Sequence, residues 1–135
     1  MDDDIPYLLL TPGPLTTTKT VKQAMLADYC TWDDDYNGIV SDIRRRLVEL
    51  AGGGDEYTAV LMQGSGTFSV EATIGTAVAA AGKLLVAENG AYGRRIRQIA
   101  ARLGIDHVAV ESAETAAIDP AQIEAALALD PRITH

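Results

Sequence analysis

The segment at residues 58–68 carries the residue types best suited to chemistry in this sequence. An apolar run with the composition of a β-strand passes into a Gly-Ser-Gly-Thr turn at residues 64–67 and then into a helical pattern. A helix N-terminus presents unpaired N–H groups and the positive end of the helix dipole, and glycine lets a phosphate approach the backbone. The hydroxyls of Ser65 and Thr67 add donors at the same place. The pattern predicts an anion cradle, and the alternative is an ordinary helix cap after a strand.

A second turn of unusual composition, residues 89–93, follows the next predicted strand. In parallel α/β sheets, ligands bind outside the carboxyl ends of the strands, so both turns are expected at one edge of the sheet. Tyr92 lies between Ala91 and Gly93, whose small size leaves its ring free to stack on a flat ligand. The alternative is a tyrosine that covers the start of a helix.

The composition argues against several classes of function. The 135 residues are 47% hydrophobic, enough for one sizeable core, and the net charge of −8 argues against a nucleic-acid surface. Cys30 is the single cysteine, so we expect no internal disulfide, no metal centre and a reducing, cytoplasmic setting. Cys30 itself is expected to be a small packed residue. The apolar runs are shorter than a membrane span, and the acidic start at residues 2–4 does not resemble a signal peptide.

Alternating strand and helix patterns position these turns. They predict an α/β fold, specifically a three-layer αβα sandwich around a mostly parallel sheet. In chain order, the predicted elements are a Pro-Gly-Pro turn at residues 12–14, a short helix from Thr18 or Thr20 to Asp28, a longer helix between the acidic segment 32–36 and Gly52, a strand near Ala59 to Gln63, a helix from about Thr67 to Ala81, a strand at Lys83 to Ala87, a helix ending at Leu103, a strand at His107 to Val110 and a helix at Pro120 to Leu129. An apolar residue near the end, Ile133, is expected to begin another strand, which indicates a longer protein.

Four motifs together point to a known family. They are Leu-Leu-Thr-Pro-Gly-Pro-Leu at residues 9–15, Thr-Trp-Asp-Asp-Asp-Tyr at 31–36, Gln-Gly-Ser-Gly-Thr at 63–67 and Asn-Gly-Ala-Tyr-Gly at 89–93. The whole chain closely resembles the first third or so of the 2-aminoethylphosphonate:pyruvate aminotransferase family, which belongs to the class V, fold-type I pyridoxal-phosphate enzymes. The first and third motifs are shared with alanine:glyoxylate and serine:pyruvate relatives, whereas the second is more particular to the phosphonate family.

The resemblance implies a cofactor, substrates and site residues. The cofactor would be pyridoxal 5'-phosphate, and the substrates would be 2-aminoethylphosphonate and pyruvate. Ser65, Gly66 and Thr67 would bind the cofactor phosphate, Tyr92 would stack on the pyridine ring, and Gly13 would approach the substrate side of the pocket. Residues 1–35 would form an arm and a short helix, and residues 36–135 the N-terminal part of the cofactor-binding large domain. The family is dimeric, so a homodimer is expected.

No lysine of this chain matches the Schiff-base lysine that a transaminase requires. Lys19 and Lys22 fall on the polar side of a short helix, and Lys83 opens a strand after Gly82. We therefore expect the Schiff-base lysine, the acidic partner of the pyridinium nitrogen and the substrate arginine beyond residue 135, and no activity from residues 1–135 alone. A related class V transaminase and a non-catalytic phosphate-binding module are the alternatives.

Overall fold

The structure is a computed structural model that describes residues 7–135. It divides the chain into two compact units, the first ending at Leu61 and the second spanning Met62–His135. The first unit contains helices α1 (Lys19–Ala24) and α2 (Asp34–Leu50). The second contains α3 (Gly66–Ala77), β1 (Lys83–Glu88), α4 (Ala91–Arg102), β2 (Asp106–Glu111) and α5 (Pro120–Leu129). No helix of residues 7–135 is long and apolar enough to span a membrane.

Helix α1 begins as the sequence predicts and ends early. The hydroxyl of Thr18 accepts a hydrogen bond from the N–H of Val21, which caps the helix. The helix ends at Ala24 rather than Asp28. Short helices depend on packing for stability, and the apolar residues that follow this helix, Met25 and Leu26, are 75% and 82% exposed.

Helix α2 ends at the predicted glycines. Gly52 has φ +74°, a left-handed conformation that glycine adopts without a steric cost. The N–H of Gly53 donates to the carbonyl of Val48, and that of Gly52 donates to Glu49, which together form a Schellman motif. At the other end, Asp34 and Asp35 lie in the first turn, where the helix dipole favours negative charge.

The second unit is built on a parallel sheet, which confirms the predicted α/β class. β1 and β2 pair in parallel, in a register that runs from Lys83 opposite Asp106 to Glu88 opposite Glu111. On the other side of β1, Ile133 forms a parallel bridge to Lys83, and the N–H of Leu85 donates to the carbonyl of His135 at 2.7 Å. Residues 133–135 thus pair with β1 only at an isolated bridge, and the further strand expected from Ile133 stays a prediction.

The core of the second unit lies between helices and sheet. α4 contacts both strands and α3, and α5 contacts β2. The core residues are Ile74, Val78 and Ile99, and the partly buried side chains of Leu84, Ile96 and Ile105 pack against them.

Besides the end of α1, three predictions are wrong. The apolar run near Ala59 to Gln63 forms no strand, because a strand needs a partner and residues 7–135 provide none for it. The helix predicted to reach Ala81 ends at Ala77, since Val78 turns to an extended conformation and its side chain is buried in the core. Cys30 is exposed rather than packed.

Candidate functional site

The turn at residues 64–67 requires its first glycine. Gly64 has φ +141°, and a Cβ atom there would lie 2.8 Å from Cδ1 and 2.9 Å from Cβ of Phe68. Any side chain would be strained and would collide with Phe68, which lies against the turn. Ser65 then occupies the N-cap position, and α3 begins at Gly66.

This turn leaves hydrogen-bond donors available. The carbonyl of Ser65 accepts from the N–H groups of Phe68 and Ser69, at 2.9 and 3.2 Å, but its hydroxyl makes no cap bond. Within residues 7–135, the N–H groups of Gly66 and Thr67 and the hydroxyls of Ser65 and Thr67 have no hydrogen-bond partner. All three residues are exposed. The structure thus brings the predicted phosphate-binding residues together as donors at the positive end of the α3 dipole.

Tyr92 lies in the first turn of α4, at the carboxyl end of β1. Its side chain is 82% exposed, so it does not cover the start of the helix. Gly93, the next residue, is buried, and a Cβ atom there would lie 2.8 Å from Cα of Glu88. The small size of Gly93 therefore lets the first turn of α4 pack directly on the end of β1, with the ring of Tyr92 directed away from the core.

A network of charged side chains, not predicted from the sequence, surrounds this end of the sheet. Nη1 of Arg97 lies 2.9 Å from Oε2 of Glu88 and 2.6 Å from Oε1 of Glu111. Arg94 pairs with Glu114 at 2.9 Å and lies 3.9 Å from Oε1 of Glu88. The hydrogen bond to Glu88, followed by that to Glu111, raises the pKa of Arg97. The signal in the sequence was the pair of arginines three residues apart on α4 and the glutamate that ends each strand.

Lys83 occupies the opposite, amino end of β1. Its Nζ lies 2.9 Å from Oδ2 of Asp130 and 3.5 Å from Oδ2 of Asp106, and the residue is buried. The bond to Asp130 raises the pKa of Lys83. A strand of this length separates Lys83 from the Tyr92 end by roughly 16 Å. Lys83 is therefore engaged in ion pairs away from the candidate site, in agreement with its predicted strand-end role.

Gly13 lies in the first unit, within the Pro-Gly-Pro turn. The hydroxyl of Thr11 donates to the carbonyl of Pro14 at 2.7 Å, and the Gly13–Pro14 peptide bond is cis. A Cβ atom at Gly13 would meet nothing within 4 Å. The substrate-side role of Gly13 stays a prediction.

Comparison with known proteins gives close relatives, although no family model matches the chain. Over 130 residues, the chain is 62% identical to a 2-aminoethylphosphonate–pyruvate transaminase of Vibrio vulnificus (strain CMCP6). It is 56% identical to the protein of that name from Syntrophobacter fumaroxidans and 59% identical to the one from Bacillus mycoides. These matches cover 96% of this chain and 35–36% of each relative, so the chain spans about a third of their length.

Solved structures show the same fold. An alanine–glyoxylate aminotransferase from Nostoc sp. superposes with a TM-score of 0.81 at 27% identity, over 90% of this chain and 32% of that structure. A pyridoxamine–pyruvate aminotransferase from Mesorhizobium loti superposes with a TM-score of 0.82 at 19% identity, over 99% of this chain and 34% of that structure. The chain is therefore a homologue of the 2-aminoethylphosphonate–pyruvate transaminases and has the fold of the class V aminotransferases.

Proposed function

We propose that the full-length protein is a pyridoxal-phosphate-dependent aminotransferase that moves the amino group of 2-aminoethylphosphonate to pyruvate, giving phosphonoacetaldehyde and alanine. The observation that carries the proposal is the identity of 56–62%, over 96% of the chain, to transaminases of this name. The solved aminotransferases share the fold but not this level of identity.

In this proposal, Ser65, Gly66 and Thr67 bind the cofactor phosphate. Two backbone N–H groups and two hydroxyls, all exposed and unpartnered within the described residues, match the acceptor oxygens of a phosphate dianion. Hydrogen bonds to a charged group contribute about 1.5–3 kcal/mol each. The positive end of the α3 dipole adds to this stabilisation.

Tyr92 packs against the pyridine ring of the cofactor in the same proposal. Its exposed ring in the first turn of α4 supports this role. Aromatic pairs contribute about 0.5–1.5 kcal/mol beyond the apolar area that they bury. The bound cofactor supplies the electron sink for the reaction, and the residues of this chain hold and orient it.

The remaining assignments rest on the resemblance. Gly13 lies toward the substrate, residues 1–35 form an arm with a short helix, and residues 36–135 belong to the cofactor-binding large domain. The protein works as a homodimer in the cytoplasm. An apolar stripe on α2, formed by Ile39, Ile43 and Leu47, is 41–42% exposed in this chain and supports a contact surface there.

The direct test is amino transfer by the full-length protein. With ¹⁵N-labelled 2-aminoethylphosphonate and pyruvate, we expect labelled alanine and phosphonoacetaldehyde, and much slower transfer from alanine or serine to glyoxylate. Faster transfer to glyoxylate would favour the related class V activity. Phosphate binding without turnover of any pair would favour a non-catalytic module.

A further inference from the structure

We propose that Glu88, acting through Arg97, is a positioning residue that fixes the ring of Tyr92 for the cofactor. This inference rests on the proposed function, because it assigns the Tyr92 ring to the pyridine ring. Glu88 is the last residue of β1, and Tyr92 follows it by four residues, in the first turn of α4. The ring of Tyr92 is 82% exposed, so its placement depends on how α4 is held against the sheet.

The first contact that holds α4 is between Gly93 and Glu88. A Cβ atom on Gly93 would lie 2.8 Å from Cα, 2.9 Å from Cγ and 3.0 Å from Cβ of Glu88. The backbone of α4 therefore lies closer to Glu88 than any residue with a side chain at position 93 would allow. This contact fixes the distance between the first turn of α4 and the end of β1.

The second contact is the ion pair between Arg97 and Glu88. Residues 93 and 97 are four apart, so they share one face of the helix. On that face, the Arg97 guanidinium lies 2.9 Å from the Glu88 carboxylate and 2.6 Å from the Glu111 carboxylate. One helix is thus held to the ends of both strands by a single cation.

Together the two contacts define the rotation of α4 about its own axis. Tyr92 precedes Gly93 by one residue, which is about 100° around a helix of 3.6 residues per turn. Its side chain therefore lies to one side of the face that packs on the sheet, which agrees with its exposure. A loss of the Glu88 charge would weaken the second contact and loosen this rotation, while the Gly93 contact and the pair between Arg97 and Glu111 remain.

Glu88 is suited to this role because it is buried. It is 6% exposed, whereas the side chains of Glu111 and Glu114 are 63% and 67% exposed. Water screens the exposed pairs and weakens them, but it screens the Glu88 pair much less. Glu88→Gln is therefore the informative change, and Glu114→Gln is the matched control that removes an exposed partner of the same helix.

The test is a double-mutant cycle between positions 88 and 92 in the full-length protein. The probe is 4'-deoxypyridoxine 5'-phosphate, which has the ring and the phosphate but no aldehyde, and its dissociation constant is measured by calorimetric titration. We expect Glu88→Gln to weaken binding about fivefold when Tyr92 is present and less than twofold when Tyr92 is alanine. Glu114→Gln should change binding less than twofold. Arg97→Lys, which has a shorter side chain and lacks the planar guanidinium that contacts both carboxylates, is the second variant if Glu88→Gln does not fold, and the same coupling to Tyr92 is expected.

A purely structural Glu88 would give a different result. The inference would be overturned if Glu88→Gln weakened probe binding equally with and without the Tyr92 ring, or weakened it in neither protein. The proposed function would still stand in that case, provided that Tyr92→Ala alone weakens binding. If Tyr92→Ala leaves binding unchanged, both the inference and the ring assignment are wrong. Inorganic phosphate, which has no ring, should bind the Glu88→Gln protein as it binds the unaltered protein.

Discussion

Nζ of Lys83 lies 2.9 Å from Oδ2 of Asp130, which joins the amino end of β1 to the segment that follows α5. Arg132 also pairs with this carboxylate, at 2.8 Å. Three residues after Asp130, Ile133 bridges to Lys83 and extends the sheet on the free side of β1. The ion pairs therefore lie beside this bridge and hold the segment after α5 against the amino end of β1.

This cluster should make stability depend on pH in the acidic range. Hydrogen bonds from Arg132 and then Lys83 hold the pKa of Asp130 well below the usual range of an aspartate. A depressed pKa in the folded state means that the stabilisation is present above the unfolded value and is lost as pH falls below it. In the full-length protein, Asp130→Asn should lower the Tm at pH 7, and the difference from the unaltered protein should shrink below about pH 4.

The control for this pH experiment is Glu124→Gln, a change at an exposed residue of α5. Its Tm should follow that of the unaltered protein over the whole pH range. A difference between the Asp130→Asn protein and the unaltered protein that stays constant from pH 7 to pH 2 would contradict the assignment of this ion pair.

Gly93→Ala should destabilise the protein by about 1–3 kcal/mol, because the added methyl group would force α4 away from Glu88. Chemical denaturation measures the change. Gly75→Ala is the matched control: this residue lies in the interior of α3, is exposed and would make only an ordinary contact, 3.5 Å from Leu103. That change should stabilise by about 0.5–1 kcal/mol. Equal effects of the two changes would show that α4 does not pack closely on β1.

At position 92, the aromatic ring should matter more than the hydroxyl. In the full-length protein, Tyr92→Ala should weaken cofactor binding about three- to tenfold and slow transamination, whereas Tyr92→Phe should be tolerated. Equal damage from both changes would indicate a hydrogen-bonding tyrosine instead of a stacked one.

Residues 1–135 expressed alone should associate and should have no transaminase activity. The apolar stripe of α2 is about two-fifths exposed, and Val60 is 74% exposed. In the second unit, an open cavity of about 400 Å³ between α3 and β1 is lined by Val70, Leu84 and Val86, among others. Exposed apolar surfaces recruit other chains. Light scattering should give a mass above the 14.3 kDa of one chain, and a monomer with one cooperative unfolding transition would contradict this expectation.

Local signals in the sequence predicted much of this fold. Helix α2 ends before Gly52, because the chain adopts a positive φ at that residue. Helix α1 begins after Thr18, whose hydroxyl caps it. Both effects involve residues within one helical turn. The apolar run at residues 59–63 misled the prediction because its composition suits a strand, whereas a strand also requires a partner that no local pattern specifies.

Parts of the candidate site were also predictable from local sequence, and other parts were not. The turn at residues 64–67 and the exposed Tyr92 were predictable, because both depend on the residue types within the turn itself and not on partners distant in the sequence. The Glu88–Arg97–Glu111 network was not, because Arg97 meets Glu88 across a turn and Glu111 across the sheet. Only the paired register of β1 and β2 brings these two carboxylates to one guanidinium.

The most direct test of the account is the affinity of the full-length apoprotein for pyridoxal 5'-phosphate after Ser65→Ala. Loss of one hydroxyl that donates to a phosphate dianion costs about 1.5–3 kcal/mol. We therefore expect the dissociation constant to rise roughly tenfold or more. Ser69→Ala is the matched control, since this α3 residue is not one of residues 65–67 and lines the cavity between α3 and β1. The Ser69→Ala protein should bind as the unaltered protein does. An unchanged affinity in the Ser65→Ala protein would contradict the assignment of residues 65–67 as the phosphate cradle.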